Sequence, residues 1–386
     1  MSFPIIALAA AGVAVLDCEH KTPKAVETGY PYIAIPDIQN GRVQLSRVRR
    51  ISETDLLEWT RRTQPEPGDI LVTRRGRVGD TAPIPADPRC AIGQNIVLLR
   101  ASGSVLDQTY LRWAVRSPQW WSEVDRLRNV GAIFSSLNVR DISRIRVPLP
   151  PLPEQRAIAE VLNALDDKIA ANTELVSRVD EVARMVFASA QRDPVAMPLS
   201  ETARFVNGKA FTKDASGTGR VVIRIAELNS GIGSSTVYSD AEVEDDFVAH
   251  PGDILFAWSG SLTLHRWFRA EGIVNQHIFK VSPSGYPSWL VYQLIRERLD
   301  YFKSVAADKA TTMGHIQRRH LDELVHVPSD SAIASVDTLM TTFWNRSLLA
   351  EQESETLAAM RDALLPQLMS GNVRVRDAEK LVEEVA

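Results

Sequence analysis

The pentapeptide Pro67-Gly68-Asp69-Ile70-Leu71 occurs a second time, 184 positions later, as Pro251-Gly252-Asp253-Ile254-Leu255. Each copy places a Pro-Gly pair directly before an apolar run, which is the pattern of a tight turn that leads into a β-strand. Two identical five-residue segments in a chain of 386 residues predict an internal duplication.

Further matches flank the two pentapeptides in the same order. Their offset drifts from 190 to about 180 positions, as small loop deletions would produce. A repeat of this length indicates a duplicated domain, because solenoid repeats recur every 20 to 50 residues or so. The matched segments are 35–41 with 225–231, 93–98 with 275–280, 110–113 with 289–292, and 142–148 with 321–328.

Each repeat begins with short strand-like runs and ends in a helical pattern. In the first repeat, apolar residues from Ile158 onward are spaced alternately by four and three, with Asn172 and Ala183 at the two remaining seam positions. This is the heptad pattern of a coiled coil. The second helix, about 333–369, is less regular. The predicted seam consists of Ile158, Leu162, Leu165, Ile169, Val176, Val179, Leu357 and Leu364.

Such narrow apolar stripes need a partner, and the economical partner of each long helix is the other one. The predicted fold is therefore α+β, with two mixed α/β domains separated by two long antiparallel coiled-coil helices in a pseudo-twofold duplication. Two separate helical hairpins are the alternative. The predicted segments are a first domain at 1–150, a central helical spacer at 151–192, a second domain at 193–330 and a C-terminal helical spacer at 331–386.

Charge and cysteine content limit the classes of function. The net charge is −4, and 35 of the 44 basic residues are arginine, the side chain suited to phosphate and guanine. The acidic excess lies in 331–386, whereas 126–146 is basic. Two cysteines, Cys18 and Cys90, cannot build a disulfide framework or a zinc site, which predicts a cytoplasmic location. The apolar run 3–16 is too short to span a membrane, so we expect a buried strand or helix start and no membrane partner.

Catalytic motifs are absent from the sequence. It contains no GxxxxGK[ST] phosphate loop, no GxGxxG before a helix, no HExxH and no Asn-Pro-Pro-aromatic methyltransferase motif. Asp166-Asp167-Lys168 resembles part of a nuclease site, but it lies within the heptad pattern, so we expect a solvated helix face. The sequence predicts a non-catalytic chain with no metal site.

The segments that follow the two pentapeptides each lead from a strand into a turn, and these turns, called the tips, differ in sequence. The first continues Val72-Thr73-Arg74-Arg75-Gly76-Arg77, and the second continues Phe256-Ala257-Trp258-Ser259-Gly260-Ser261. A shared scaffold with different tips is expected if each copy presents its own side chains to a different base sequence. An exposed hairpin without a ligand is the alternative for any one of these residues.

Three longer strings resemble one known family, the specificity subunits of type I restriction–modification systems. They are VPLPPLPEQR at 147–156, ATTMGHI at 310–316 and LAAMRDALLPQLMSGNVRV at 357–375. The second helix departs from the family pattern, since Val327-Pro328-Ser329-Asp330-Ser331 stands where a PPLxEQ lead is usual.

The resemblance implies two target recognition domains that each read one half of a split double-stranded DNA sequence. It also implies helices that set the unread gap and dock two methyltransferase (M) subunits, with motor–nuclease (R) subunits as further partners. No cofactor is then expected on this chain: S-adenosylmethionine belongs to the methyltransferase, and ATP and Mg²⁺ belong to the motor.

Motif position then gives the expected DNA-contacting residues. Most should contact phosphate, because over half of protein–DNA hydrogen bonds go to the backbone. Two alternatives stay open: a duplicated scaffold that binds no DNA, and an enzyme that acts on DNA alone. The expected contacts are His20, Lys21, Thr22, Arg74, Arg75, Arg77, Gln94, Asn95 and Arg140 in the first domain, and Lys209, Lys213, Trp258, Ser259, Thr311, Thr312, His315, Gln317 and Arg318 in the second.

Overall fold

A computed structural model of the chain describes residues 3–19, 21–87, 89–130, 135–308 and 314–383. The chain forms two compact units. The first contains Met1–Asp167 and Ala358–Ala386, and the second contains Lys168–Leu357. This division cuts both long helices, so each unit combines a β-rich part with a portion of each helix. The four-segment division expected from the sequence stays a prediction.

The first unit is built from short strands with helices between them. Its helices are α1 (Glu53–Trp59), α2 (Gln108–Ala114), α3 (Pro118–Leu127), α4 (Val139–Ile142) and the start of α5 (Leu152–Ala190). Its strands are β1 (Ile5–Ala7), β2 (Val13–Asp17), β3 (Tyr30–Ile33), β4 (Ile38–Gln39), β5 (Arg42–Val43), β6 (Arg49–Ile51), β7 (Ile70–Thr73), β8 (Thr81–Pro83), β9 (Ala91–Ile92), β10 (Ile96–Ala101), β11 (Asn129–Val130), β12 (Ser135–Ser136) and β13 (Arg146–Pro148).

The second unit is also built from short strands with helices between them. Its helices are the end of α5, α6 (Leu199–Thr202), α7 (Ile225–Ser230), α8 (Ser288–Asp308) and most of α9 (Asp330–Ser370), while α10 (Val375–Glu383) follows in the first unit. Its strands are β14 (Val195–Pro198), β15 (Ala203–Asn207), β16 (Arg220–Ile223), β17 (Tyr238–Ser239), β18 (Val248–Ala249), β19 (Ile254–Ala257), β20 (Thr263–Arg266), β21 (Gly272–Val274), β22 (Ile278–Pro283) and β23 (Leu324–Val327).

The main sheets of the two units have the same topology, which confirms the duplication. The main antiparallel sheet has the order β2-β10-β7-β8 in the first unit and β15-β22-β19-β20 in the second. A smaller sheet contains one parallel pair in each unit, β3 with β9 and β16 with β21. A two-stranded ribbon closes each unit, β1-β13 and β14-β23. The apolar run near the N-terminus forms the expected strands, β1 and β2, but they are only partly buried: Val13 is buried, whereas Ile5 is 51% exposed.

The glycine of each repeated pentapeptide makes the predicted turn before its strand. Gly68 and Gly252 have φ of +82° and +96°, the left-handed region that glycine enters without steric cost. Their N–H groups donate to the carbonyls of Ile84 and Trp267 at 3.1 and 2.7 Å. The same turn therefore introduces β7 and β19, the central strands of the two main sheets.

The two long helices run antiparallel, as predicted. In the first unit, Arg361 of α9 donates to Asp166 of α5 at 2.7 Å, and in the second unit Asn172 of α5 donates to Glu353 of α9 at 2.7 Å. Residue numbers rise along α5 as they fall along α9. The predicted seam residues differ in burial: Ile158, Leu162, Leu165, Leu357 and Leu364 are buried, whereas Ile169, Val176 and Val179 are half-buried.

Candidate nucleic-acid interface

Three separate segments of the first unit meet where β7 ends. The backbone N–H of Arg74 donates to the carbonyl of Asn95 at 2.7 Å, and the N–H of Leu137 donates to the carbonyl of Arg74 at 2.9 Å. Arg75 and Ser136 form one further antiparallel bridge. Backbone bonds thus hold the side chains of these three segments beside one another at one end of the main sheet.

The second unit has the same arrangement where β19 ends. The N–H of Trp258 donates to the carbonyl of His277 at 3.0 Å, and the N–H of Ile316 donates to the carbonyl of Trp258 at 3.1 Å. Ser259 and His315 form the bridge that corresponds to the one in the first unit. Trp258 is therefore the structural equivalent of Arg74.

The turn that precedes β10 in the first unit and β22 in the second supplies another pair of equivalent positions. Asn95 and His277 have φ of +69° and +73°, a conformation that few residues other than glycine adopt and that Asn and His enter more often than most. His277 and Ser136 also lie at the two sheet ends, although neither is among the contacts expected from the sequence. The alignment of 93–98 with 275–280 was the signal that could have identified His277.

In the first unit, the tip side chains combine basic and amide groups. Arg74 is half-buried, and its Nε atom is buried without a hydrogen-bond partner among the described residues. Arg75 and Gln94 are exposed, and Asn95 is half-buried. Guanidinium and amide groups at adjoining positions can donate and accept hydrogen bonds in a groove of DNA.

Arg77 does not join this group, although it was expected to. Its guanidinium donates to the carbonyls of Ile35 and Ile38 and lies 3.4 Å from the carboxylate of Asp80. Burial raises the pKa of Asp80, and the nearby charge of Arg77 counteracts that rise. Arg77 lines a separate cavity of about 670 Å³ together with Arg116, whose pKa burial lowers to about 10.

Other expected contacts of the first unit lie at different places on its surface. Lys21 and Thr22 are exposed, and the carbonyl of Lys21 accepts hydrogen bonds from Tyr32 and Trp59 at 3.2 and 3.0 Å, which fixes this segment. Arg140 is exposed on α4 and lines a depression with Arg144. His20 lies outside the described residues.

In the second unit, Trp258 is the centre of an aromatic and imidazole cluster. Its Nε1 donates to Oδ1 of Asn207 at 2.7 Å, which orients the indole. The rings of His277, Phe279 and His315 have centroids 5.1, 5.8 and 6.3 Å from that of Trp258. The tip that carries an arginine in the first unit therefore carries an indole flanked by two imidazoles in the second.

The remaining expected contacts of the second unit are mostly exposed. The ammonium of Lys209 lies 4.1 Å from the centre of the Phe247 ring. Lys213, Gln317 and Arg318 are exposed, whereas Ser259 is buried. Thr311 and Thr312 lie outside the described residues.

Asp166 corrects the sequence interpretation of a solvated helix face. Its carboxylate is 2% exposed and contacts the guanidinium groups of Arg42, Arg112 and Arg361. Burial alone would raise the pKa of Asp166, but the three cations outweigh that effect and hold the pKa below its ordinary value. The neighbouring Asp167 is exposed. Asp166 therefore belongs to a buried ion cluster, whereas Asp167 is the solvated residue that the sequence predicted.

No metal-binding cluster of His, Cys, Asp or Glu side chains occurs among the described residues. Within the same part of the chain, no helix has both the length and the apolar character needed to cross a membrane.

Comparison with known proteins adds a family to this geometry. The model of the type I restriction modification DNA specificity domain matches residues 18–180. The chain is 27% identical over 118 residues to a putative type I restriction enzyme MjaX specificity subunit of Methanocaldococcus jannaschii, covering 31% of this chain and 27% of that protein. It is 28% identical over 173 residues to the type I restriction enzyme EcoBI specificity subunit of Escherichia coli, covering 43% and 36%.

The fold is similar to a solved structure over nearly its whole length. The crystal structure of the type I restriction-modification system S subunit from M. genitalium matches with a TM-score of 0.58 and 16% sequence identity, covering 96% of both chains. By sequence, the chain spans about a third of the length of the curated relatives that it matches.

Proposed function

We propose that this chain, a member of the type I restriction–modification specificity family, reads a split double-stranded DNA target. Each compact unit would read one half-site. One observation carries this proposal. The two sheet ends have equivalent backbone hydrogen bonds, yet one unit presents Arg74 and Asn95 and the other presents Trp258 and His277. Equivalent positions with unlike side chains suit two readers of unlike sequences.

The first unit has the groups that read purines in the major groove. Arginine pairs in bidentate fashion with O6 and N7 of guanine, and asparagine pairs with N6 and N7 of adenine. We assign these roles to Arg74 and Asn95. The exposed Arg75, Arg140 and Lys21 are assigned to phosphate contacts, which position a protein on the duplex without reading its sequence.

The second unit reads its half-site with different chemistry. The imidazoles of His277 and His315 each carry ring nitrogens that can donate or accept a hydrogen bond, and Trp258 supplies an apolar surface for a thymine methyl group. Lys209, Lys213 and Arg318 are assigned to phosphates. Three cationic side chains are thus assigned to phosphates in each unit, so we expect the two half-sites to contribute similarly to the salt dependence of binding.

We assign the chemical steps to partner subunits, because the sequence contains none of the motifs for methyl transfer or nucleotide hydrolysis. The partners proposed are two methyltransferase subunits that use S-adenosylmethionine and motor–nuclease subunits that use ATP and Mg²⁺. The long helices offer a docking surface in the second unit, where Met185, Leu339 and Leu349 have exposed side chains at 59%, 45% and 57%.

Methylated-base mapping in cells tests the proposal. The full chain, co-expressed with the methyltransferase subunit of its own system, should modify one bipartite sequence with a fixed gap. A chain with Arg74→Ala and Asn95→Ala should relax one half-site, and a chain with Trp258→Ala and His277→Ala should relax the other. Relaxation of the same half-site by both double variants would contradict the division of labour between the units.

Duplex binding by the full chain separates the two alternatives. A reader loses affinity steeply as salt rises, because neutralised phosphates release counterions. A scaffold would show no duplex binding at low salt. An enzyme that acts alone would transfer a labelled methyl group from S-adenosylmethionine to DNA without any partner, and that result would overturn the assignment of chemistry to other subunits.

A further inference from the structure

A polar contact lies in the apolar seam between the two long helices of the second unit. Asn172 of α5 occupies a heptad seam position and is 4% exposed. Its Nδ2 donates to Oε2 of Glu353 on α9 at 2.7 Å, and the ammonium of Lys168, one turn earlier, lies 3.3 Å from Oε1 of the same carboxylate. Both oxygens of Glu353 therefore have partners on the facing helix.

Such a contact is satisfied in only one alignment of the helices. A buried amide costs stability wherever its hydrogen bonds are unmade, so a satisfied seam asparagine disfavours every register that separates it from its partner. Glu353 is ionised in this arrangement: burial alone would raise its pKa, but the hydrogen bonds from Asn172 and Lys168 outweigh that effect and lower it.

The residues one heptad away from Glu353 are poor substitutes. A slip of seven residues, about 10.5 Å along the axis, brings either Arg346 or Met360 to the position of Glu353. Met360 has no strong acceptor, and Arg346 places a second cation beside Lys168. Either slip leaves Asn172 without its charged partner.

The apolar residues of this stretch give little register preference of their own. Facing positions on α9 include the buried Ser347 and Ala350. Because these side chains are small, they would pack about equally well in a register displaced by one heptad. Ile169 and Val176, on either side of Asn172, are only half-buried. Within this stretch the Asn172–Glu353 contact is therefore the one that favours a single register, and in the first unit the Asp166–Arg361 pair of the same two helices has the same effect.

We propose that Asn172 is a register-determining residue, whose hydrogen bond to Glu353 adds to the Asp166–Arg361 ion pair in favouring one antiparallel alignment of the two long helices over alignments displaced by a heptad. The consequence for DNA rests on the proposed function: the selected register fixes the gap between the two half-sites. Replacement of Asn172 by leucine makes the seam more apolar and removes this part of the preference for the native register. A hydrogen bond to a charged group corresponds to about a tenfold to hundredfold preference.

A set of three double-cysteine chains measures the register. Leu175 and Arg346 are each one heptad removed, in opposite directions along the chain, from the contacting pair Lys168 and Glu353. The Leu175→Cys, Arg346→Cys chain therefore reports the native register. The two slips are reported by Arg346→Cys combined with Lys168→Cys in one direction and with Val182→Cys in the other.

A short bifunctional thiol-reactive reagent, such as a bis-maleimide, to which both thiolates add, traps whichever pair of introduced cysteines lies close together. The native Cys18 and Cys90 are buried, and burial raises their pKa values to about 11 and 12. Because the thiolate is the reactive form, these two thiols react slowly and leave the introduced pairs as the main products.

With Asn172 present, only the 175–346 pair should cross-link. With Asn172→Leu added, the 168–346 or 182–346 product should rise at least tenfold. Thr173→Leu, at an exposed neighbouring position, is the matched control and should leave all three products unchanged. Glu353→Gln keeps an acceptor for Asn172 and should retain the native register. If Asn172→Leu does not fold, Asn172→Ala serves in its place. Cross-linking confined to 175–346 in the folded variant would overturn the proposal.

Mapping of modified sites then tests the link to the gap. The Asn172→Leu chain should modify targets with a second gap length or with a mixture of gaps. Slipped cross-links together with an unchanged single gap would refute the link and leave the register role standing. Absence of any bipartite modification by the unaltered chain would instead count against the proposed function, whatever the cross-links report.

Discussion

Replacement of Asp166 by alanine should destabilise the first unit far more than the same change at its neighbour. The Asp166 carboxylate is 2% exposed and contacts three guanidinium groups, of which those of Arg112 and Arg361 are 18% and 13% exposed. Removing one partner of a buried ion pair costs about 3–5 kcal/mol, because the remaining charges stay buried without compensation. For a unit of about 200 residues, this corresponds to a fall in Tm of about 6–20 °C.

Two measurements check this: the thermal unfolding of the full chain, and the rate of hydrogen exchange at the backbone amides of the first unit. Asp167→Ala is the matched control, since Asp167 is adjacent and exposed and its loss should change stability by less than about 0.5 kcal/mol. Equal melting temperatures for Asp166→Ala and Asp167→Ala would refute the reasoning, because the difference in burial would then have no energetic effect.

The same cluster predicts a pH dependence. The pKa of Asp166 is lower in the folded chain than its ordinary value of 3.8, because the three cations outweigh burial. A carboxyl of this kind contributes stability that is fully present above its unfolded pKa and is lost as the pH falls through its folded pKa. The unaltered chain should therefore lose this contribution to its free energy of unfolding below about pH 4. The Asp166→Ala chain should not show that loss in a plot of stability against pH.

Three further outcomes follow from the sheet ends and the core. Arg77→Ala should lower the Tm with little effect on base preference, whereas Arg74→Ala should weaken discrimination at one base pair by about 1–3 kcal/mol, measured with duplexes that differ only there. Trp258→Phe removes the donor to Asn207 and should shift preference in the second half-site alone, measured by the same duplex series. Cys18 and Cys90 should resist a thiol reagent at about pH 8 until the chain is unfolded, since burial raises both pKa values.

The features that the sequence predicted well are those set by local patterns. The Pro-Gly turns, the strands that follow them and the heptad helix each depend on residues within a few positions of one another. Ion pairs between distant segments left no such pattern. Arg42 and Arg361 lie 124 and 195 positions from Asp166, so nothing near Asp166 in the sequence indicated that it would be buried.

The tip residues show a second limit of sequence reasoning. Arg74, Arg75 and Arg77 form one basic run, yet the structure separates Arg77 from the other two because nearby backbone carbonyls accept its hydrogen bonds. Conversely, Asn95 and Ser136 join Arg74 from other parts of the chain. A cluster of like charges in a sequence indicates a basic segment, but the backbone decides which members face the same ligand.

The aspartate of the repeated pentapeptide explains how the two copies keep one structure while their tips differ. Asp69 and Asp253 each accept the N–H of the residue three positions earlier at 2.8 Å. Each also forms an ion pair with a basic side chain on the adjoining strand of its main sheet, Asp69 with Arg100 and Asp253 with Lys280. Turn and strand are thereby fixed at the end of β7 and β19 that lies away from the tip. Because this support uses no side chain of the tips, those side chains can change in one unit without disturbing the support in that unit or in its copy.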